Sequence, residues 1–187
     1  MVERIFDATR RTLAEHGYDG ASTNRIAAAA GVSPGSLYQY FPNKDAVVLA
    51  VVERYSDQLL SRVAACLVGQ FDQPAPVVVR TTIEVLLGGL DVEPGFLRTV
   101  FEHGPRLDGG HRLRAFEQRI GELALAYLTT RRETLRAGAP LDAAVWVMVQ
   151  AVEHLTVRYL LDRPPIPRDR FLDELTLLAL GYLRANG

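Results

Sequence analysis

The segment Ser33–Tyr40 combines hydroxyl, amide and aromatic side chains with small residues in one short stretch. Small residues in the first turn of a helix allow backbone amides to approach a phosphate group or the edge of a base. The side chains that such a helix would present outward are Pro34, Gly35, Ser36, Tyr38, Gln39 and Tyr40. The segment is therefore suited to contacts with a nucleic acid.

Two short helices joined by a tight turn would position these side chains. Ser22 is a suitable N-cap for a first helix that runs through Ala30, and Gly31 suits the left-handed conformation that ends a helix. Ser33 caps the second helix, whose first position is a proline that needs no N–H donor there. This pattern predicts a helix-turn-helix. Its two helices would be held against helix 1 by the apolar residues Ile26, Ala27, Val32 and Leu37.

The rest of the chain also reads as helices, punctuated by Gly, Pro, Ser and Asn. The fold class that we predict is all-α, with about nine helices. The expected spans are about 2–16, 23–30, 34–41, 44–68, 77–89, 94–103, 111–137, 141–162 and 168–185, with a loop at Phe71–Pro76. We expect a helix-turn-helix domain over 1–50 and a ligand-binding and dimerisation domain over 51–187.

Composition restricts the other classes of function. The chain has 187 residues and a net charge of −1, so any nucleic-acid surface must be local. Cys66, the only cysteine, permits no internal disulfide and no cysteine-based metal cluster. No apolar run approaches the length of about 18 residues that spans a bilayer, and charged residues near the start leave no signal peptide. We expect a cytoplasmic protein without a cofactor or membrane partner.

The ordered residues of this region resemble the signature of the TetR family of transcriptional regulators. The resemblance covers about residues 5–50 and includes Thr23-Asn24-Arg25-Ile26-Ala27, the run from Ala30 to Phe41, and Asn43-Lys44. One departure is Ala14, where the family usually has a larger apolar residue. Beyond residue 50 the resemblance is one of architecture only.

The resemblance implies a role for each matching position. Tyr38, Tyr40 and Lys44 would contact phosphates, as would Ser22 or Thr23. Gln39 is the best candidate for reading a base, because a carboxamide can bond adenine through two hydrogen bonds. Close contacts at the floor of the groove would come from Pro34, Gly35 and Ser36, and contacts to a flanking base or phosphate from Asn24 and Arg25.

These positions also allow simpler interpretations. A tyrosine on a short amphipathic helix is normally a half-buried packing residue, and the serines and asparagines could act only as caps. Lys44 is the single lysine beside twenty arginines, a usage typical of GC-rich coding sequence. A lysine kept at the position expected to contact phosphate supports the DNA-binding interpretation.

The sequence of the C-terminal part of the chain favours self-association. Residues 143–152 are apolar almost all round their helix, and such a helix must be covered on several sides. The resemblance implies that the last two long helices pair with their symmetry mates in a homodimer, which would bind double-stranded, pseudo-palindromic operator DNA. The interface residues that we expect are Val152, Glu153, His154, Leu178, Gly181 and Tyr182.

A pocket for an unidentified small-molecule effector is expected in the helical domain. Its candidate lining residues are Phe96, Val100, Phe101, Tyr127, Trp146 and Gln150, although plain core packing explains each of them as well. Glu153 and His154 would either orient a ligand or pair across the dimer interface. His103 would serve as a ligand group or as a cation at a helix C-terminus.

The sequence is also compatible with two other classes of function. An enzyme is disfavoured because the four histidines lack metal-binding spacing and the glycine pairs do not form a phosphate-binding motif. The other alternative keeps the fold without the sensor, as a constitutive DNA-binding regulator or a protein-interaction adaptor. The sequence does not distinguish that alternative from a ligand-responsive repressor.

Overall fold

The computed structural model describes residues 1–70, 72–91, 94–107, 110–132, 135 and 140–183. Within these ranges the chain forms nine α-helices and no β-strand, which confirms the predicted all-α class. The helices are α1 (Val2–Gly20), α2 (Thr23–Ala30), α3 (Pro34–Tyr38), α4 (Lys44–Gly69), α5 (Ala75–Leu90), α6 (Pro94–Leu107), α7 (His111–Thr130), α8 (Leu141–Asp162) and α9 (Arg168–Leu183). Of the described helices, none has the length and apolar character needed to cross a membrane.

The chain divides into two compact units. The first comprises Met1–Gln58 and Asp91–Arg114, and the second comprises Leu59–Leu90 and Ala115–Gly187. The first unit includes α6 together with the N-terminal helices. The reason is a close approach of α6 to α1, where Gly95 lies against the backbone of Ala14.

The first unit has a core that holds α2 and α3 in place. Its fully buried side chains include Ile5 of α1, Ile26 of α2, Leu37 of α3 and Val47 of α4. A second cluster joins Leu13, Val48 and Phe96, and the Phe96 ring meets that of Tyr55 edge-on with centroids 5.9 Å apart. Burial of these apolar side chains fixes the two short helices, which would be too short to be stable alone.

The second unit consists of the C-terminal part of α4, from Leu59 onward, together with α5, α7, α8 and α9. Its clusters include Ile83 and Leu87 of α5, Ile120 of α7 and Leu172 of α9. The Tyr159 and Phe171 rings stack with centroids 4.0 Å apart. Of these residues, Ile83 and Ile120 also line the pocket described below.

Some helix ends differ from their predicted positions. Gly17, expected to end helix 1, has φ 65° and marks a kink, after which one further helical turn leads to Gly20. The sixth helix extends beyond its predicted end at residue 103, because Leu107 packs into the cluster around Phe96. The seventh helix was predicted to reach 137, but α7 ends at Thr130 and Arg131 lies in a turn, where its amide donates to the Leu128 carbonyl. The predicted helix end at 185, and Phe71 of the predicted loop, lie outside the described residues.

Candidate functional site

The turn between α2 and α3 has the geometry predicted from its residues. Ser22 caps α2 by accepting a hydrogen bond from the Arg25 amide at 3.2 Å. Gly31 ends that helix in the left-handed conformation, with φ 63° and ψ 39°, a region that costs glycine little. The Val32 amide then donates to the carbonyl of Ala27 at 3.0 Å, which closes the turn.

The start of α3 carries a second side-chain cap. The Ser33 hydroxyl oxygen accepts a hydrogen bond from the Ser36 amide at 3.0 Å and lies 2.8 Å from the Ser36 hydroxyl. Pro34 occupies the first turn, as predicted. The helix has five residues, so this cap satisfies a large part of its free backbone donors.

The outer face of the two helices is open to solvent. Tyr38 and Tyr40 are 50% and 49% exposed, well above the expectation for tyrosines that serve only to pack a core. The Tyr38 hydroxyl lies 2.8 Å from the Thr23 hydroxyl, and this contact joins α2 to α3. The further exposed residues of this face, all among the predicted DNA contacts, are Ser22, Asn24, Arg25, Pro34, Gly35 and Gln39. Most of the predicted DNA contacts around α2 and α3 are thus accessible to solvent, while Thr23 and Ser36 are half-buried.

Lys44 lies at the start of α4, beside Tyr18. Its ammonium donates to the Tyr18 carbonyl at 2.8 Å and sits 3.8 Å from the centroid of the Tyr18 ring. The Tyr18 hydroxyl donates to Asp45, and the ring stacks on His103 at 4.7 Å. Burial, and then the Asp45 carboxylate, raise the pKa of the Tyr18 hydroxyl, which therefore stays neutral. Because an ammonium has three donors, Lys44 keeps capacity for a phosphate while this arrangement fixes its position.

The second unit contains a pocket with a cavity volume of about 110 Å³. Its walls come from α4, α5, α7, α8 and α9 and are mainly aliphatic, with Val63, Ile83, Leu86, Phe116, Ile120 and Met148 among them. A pocket of this kind, apolar with a few convergent polar groups, is the usual form of a small-molecule site. The sequence predicted a pocket in the helical domain but placed its walls largely elsewhere.

Four polar side chains line the pocket from α7 and α8: Glu117, Tyr127, Glu153 and Thr156. The Glu117 and Glu153 carboxyl groups share a hydrogen bond. Burial, and next the charge of Glu117, raise the pKa of Glu153 from 4.5 to about 7. The wall therefore holds two carboxyl groups, of which Glu153 exchanges a proton near neutral pH.

The structure does not bring the six predicted pocket residues together. Tyr127 lines the pocket, whereas Phe96 and Val100 pack in the core of the first unit. Phe101 also belongs to that unit, and Trp146 is 66% exposed. Gln150 lies beside the carboxyl pair, where its side-chain amide donates to Glu117 at 3.2 Å.

The predicted dimer residues also separate into two groups. Val152 is buried and, like Glu153, lines the pocket, so these two side chains face the interior of the unit. Leu178, Gly181 and His154 are exposed, and Tyr182 is half-buried. Sequence reasoning missed four further apolar side chains that are exposed on α8 and α9: Val147, Leu155, Leu177 and Trp146, the last assigned to the pocket.

Sequence reasoning also missed Glu117, although a signal for it exists. Phe116, Ile120 and Leu123 form an apolar stripe at helical spacing, and Glu117 lies inside that stripe. A carboxylate on a helix face otherwise made for burial indicates a buried polar partner or a ligand.

Comparison with known protein families gives matches to both parts of the chain. The family model described as bacterial regulatory proteins, tetR family, matches residues 5–51. A second, described as the tetracyclin repressor-like C-terminal domain, matches residues 74–183.

Individual relatives match only part of the chain. An uncharacterised HTH-type transcriptional regulator of Haemophilus influenzae is 34% identical over 76 residues, which cover 41% of this chain and 38% of that protein. An HTH-type transcriptional repressor of Mycobacterium tuberculosis is 36% identical over 56 residues, 30% of each chain. The chain thus spans about a third of the length of these curated relatives.

Likeness in three dimensions extends over the whole chain. SmeT, the repressor of the Stenotrophomonas maltophilia multidrug efflux pump SmeDEF, has a TM-score of 0.75 and 23% identity, covering 100% of this chain and 92% of its own. At this level of identity the likeness concerns the fold alone.

Proposed function

Because the chain belongs to the TetR family of bacterial transcriptional regulators, we propose that it binds a pseudo-palindromic operator as a homodimer and is released by a small-molecule effector. The observation that carries the DNA-binding part is the accessible face of α2 and α3. Tyr38, at the end of α3, and Gln39 and Tyr40, just after it, are exposed, whereas Leu37 of the same helix is fully buried. Hydroxyl and amide groups on such a helix contact phosphates and base edges.

Binding would rely on neutral donors as much as on charge. Residues 1–55 contain six basic and six acidic side chains, so this region has no net positive charge. The hydroxyl groups of Tyr38 and Tyr40 and the amides at the start of α3 would supply phosphate contacts, and Lys44 a charged one. Gln39 would read a base.

Self-association is supported by the exposed apolar surface of α8 and α9. Trp146 and Leu177 are 66% and 67% exposed, and Val147, Leu155 and Leu178 are exposed as well. Large apolar side chains concentrated on two packed helices mark an interaction surface more often than free surface. In a two-fold dimer the two copies of α3 would enter successive major grooves about 34–36 Å apart.

Sensing is supported by the pocket in the second unit. An apolar cavity with a carboxyl pair and buried polar atoms has the features of a small-molecule site. Since α4 contributes residues to both units, a ligand-induced change in its packing would be transmitted along one continuous helix.

Anisotropy with labelled duplexes selected from random sequence, or taken from the region upstream of the coding sequence, tests the DNA-binding part. We expect specific binding by the purified chain, and a loss of about tenfold or more for Gln39→Ala at the preferred site. Gln118→Ala, at an exposed glutamine of α7, is the matched control and should bind normally. Failure to bind any duplex at low ionic strength would refute the regulator proposal.

A constitutive regulator without a sensor is the second candidate. Both candidates would bind DNA through the same α2–α3 surface, so only the role of the pocket distinguishes a constitutive regulator from a ligand-responsive one. Specific DNA binding that no pocket ligand relieves, together with unchanged DNA affinity when the pocket is filled by Ala124→Phe, would favour the constitutive regulator.

A further inference from the structure

The two carboxyl groups of the pocket lie in mainly apolar surroundings without a basic side chain among the described lining residues. Glu117 and Glu153 are hydrogen-bonded to each other, and the amide of Gln150 donates to Glu117 at 3.2 Å. The pocket residues of α4, α5 and α9 carry no charge, and in the described part of the chain no basic side chain lines the pocket. A negative charge in apolar surroundings is unfavourable unless a cation or several donors compensate it.

Two other polar atoms of the same pocket have no hydrogen-bond partner among the described residues. They are the hydroxyl oxygens of Tyr127 and Thr156, whose residues are 9% and 1% exposed. A buried hydroxyl without a partner costs about 1–3 kcal/mol. Both residues line the pocket, so a bound molecule with polar groups can satisfy them.

The proton of the carboxyl pair makes the site selective in charge. Burial, and next Glu117, raise the pKa of Glu153 to about 7, so this wall holds a proton on Glu153 up to about neutral pH. An anionic ligand would add a further like charge to this wall. An ammonium group would instead replace the shared proton and donate to both carboxylates.

We propose that the effector of this pocket is a small, mainly apolar amine, bound as its ammonium ion between the carboxyl groups of Glu117 and Glu153, with its apolar body against the aliphatic wall. This inference rests on the proposed sensing function and specifies its ligand class. Binding is balanced as an exchange: the ammonium ion enters with its charge, and the proton shared by the two carboxyl groups leaves to solvent.

The size of the cavity restricts the ligand further. Its 110 Å³ is smaller than a cavity of about 150 Å³ that accommodates benzene in another protein. A single ring or a short branched chain with one amine fills it after small side-chain movements. Met148, which lines the pocket, is suited to such adjustment because its side chain is unbranched.

Isothermal titration calorimetry with three ligands of similar shape tests the inference. The probes are benzylamine, benzyl alcohol and phenylacetate, added to the full chain at pH 6, 7 and 8. We expect benzylamine to bind at least about tenfold more tightly than benzyl alcohol, and phenylacetate to bind most weakly. Titrations in buffers of different ionisation enthalpy should show proton release with benzylamine, larger at pH 6 than at pH 8.

Substitutions then locate the ammonium site. Glu153→Gln and Glu117→Gln should each weaken benzylamine binding about tenfold while benzyl alcohol binding changes by less than about twofold. Unchanged alcohol binding also shows that the variants are folded. Glu122→Gln, at an exposed carboxylate of the same helix α7, is the control and should leave both affinities unchanged.

The inference is overturned if benzylamine does not bind at millimolar concentration, if the alcohol or the acid binds as well as the amine, or if both glutamine variants keep the preference. These outcomes differ from failure of the proposed function, which anisotropy with DNA measures. Specific DNA binding relieved only by neutral or anionic compounds would refute the amine and retain the regulator. Amine binding without any DNA binding would support the amine as the ligand and refute the regulator.

Discussion

Gly95 of α6 lies directly against Ala14 of α1. A Cβ atom placed on Gly95 would be 2.5 Å from the carbonyl oxygen of Ala14 and 2.8 Å from its Cα. Only a residue without a side chain allows the two helix backbones to approach so closely. The alanine at position 14, smaller than the residue that the TetR signature usually has there, is part of the same close approach.

Gly95→Ala is therefore expected to destabilise the fold. The contact is with backbone, which cannot move aside as a flexible side chain would, so the cost should be about 1–3 kcal/mol. Thermal unfolding followed by circular dichroism measures it as a fall in Tm of several degrees. Gly104→Ala is the matched control in the same helix, since nothing lies within 4 Å of a Cβ there. A stable Gly95→Ala protein would contradict this packing.

The contact between Gly95 and Ala14 also explains why the sequence predicted the turn between α2 and α3 better than the walls of the pocket. Ser22, Gly31 and Ser33 act through hydrogen bonds and backbone conformations within a few residues, so their types and order suffice to predict the turn. The pocket depends on which helices pack together. Once Gly95 brings α6 to α1, Phe96 and Val100 become part of the core of the first unit and do not line the pocket.

Substitutions of Ser33 separate the stability of the α3 cap from its effect on DNA binding. Ser33→Ala removes the acceptor for the Ser36 amide and should lower stability by about 1 kcal/mol, as well as weakening DNA binding. Ser33→Asp restores a cap and therefore stability, yet should bind DNA less well because it adds a negative charge near the phosphates. Chemical denaturation and anisotropy, measured on the same samples, check the two effects. Equal DNA affinity for the serine and aspartate proteins would show that Ser33 lies away from the backbone of the DNA.

The salt dependence of operator binding should be moderate. A dimer that neutralises about five to eight phosphates is expected to show a slope of log K against log salt concentration of about −4 to −7. Anisotropy titrations over a range of KCl concentrations give this slope. Lys44→Gln should make it less steep by about one for each protomer, whereas a slope near zero would be incompatible with phosphate contacts.

The exposed apolar face of α8 and α9 should control the oligomeric state. Leu177→Glu replaces an exposed apolar side chain of the proposed interface by a charge and is expected to shift a dimer toward a monomer of about 21 kDa at micromolar concentration, measured by light scattering. Val68→Glu is the control, because Val68 is 79% exposed on α4. A wild-type chain that is already monomeric at micromolar concentration would refute the dimer.

The carboxyl pair predicts a pH dependence of stability. The pKa of Glu153 rises from 4.5 to about 7 on folding, first through burial and then through Glu117. Below pH 4.5 the carboxyl group is protonated in both states and has no effect. As the pH rises from 4.5 to 7, the unfolded chain releases this proton while the folded chain keeps it, so stability falls across that window and the loss is complete above it.

Glu153→Gln should remove this loss, because the neutral amide still donates to Glu117 and never ionises. We expect the variant to match the wild-type stability near pH 4 and to exceed it by about 1–2 kcal/mol at pH 8, a figure reduced for partial exposure to water. Urea denaturation at several pH values measures the difference, and Glu122→Gln should show none of it. A gain of equal size at pH 4 and pH 8 would mean that the substitution acts through packing, and that Glu153 ionises normally in the folded chain.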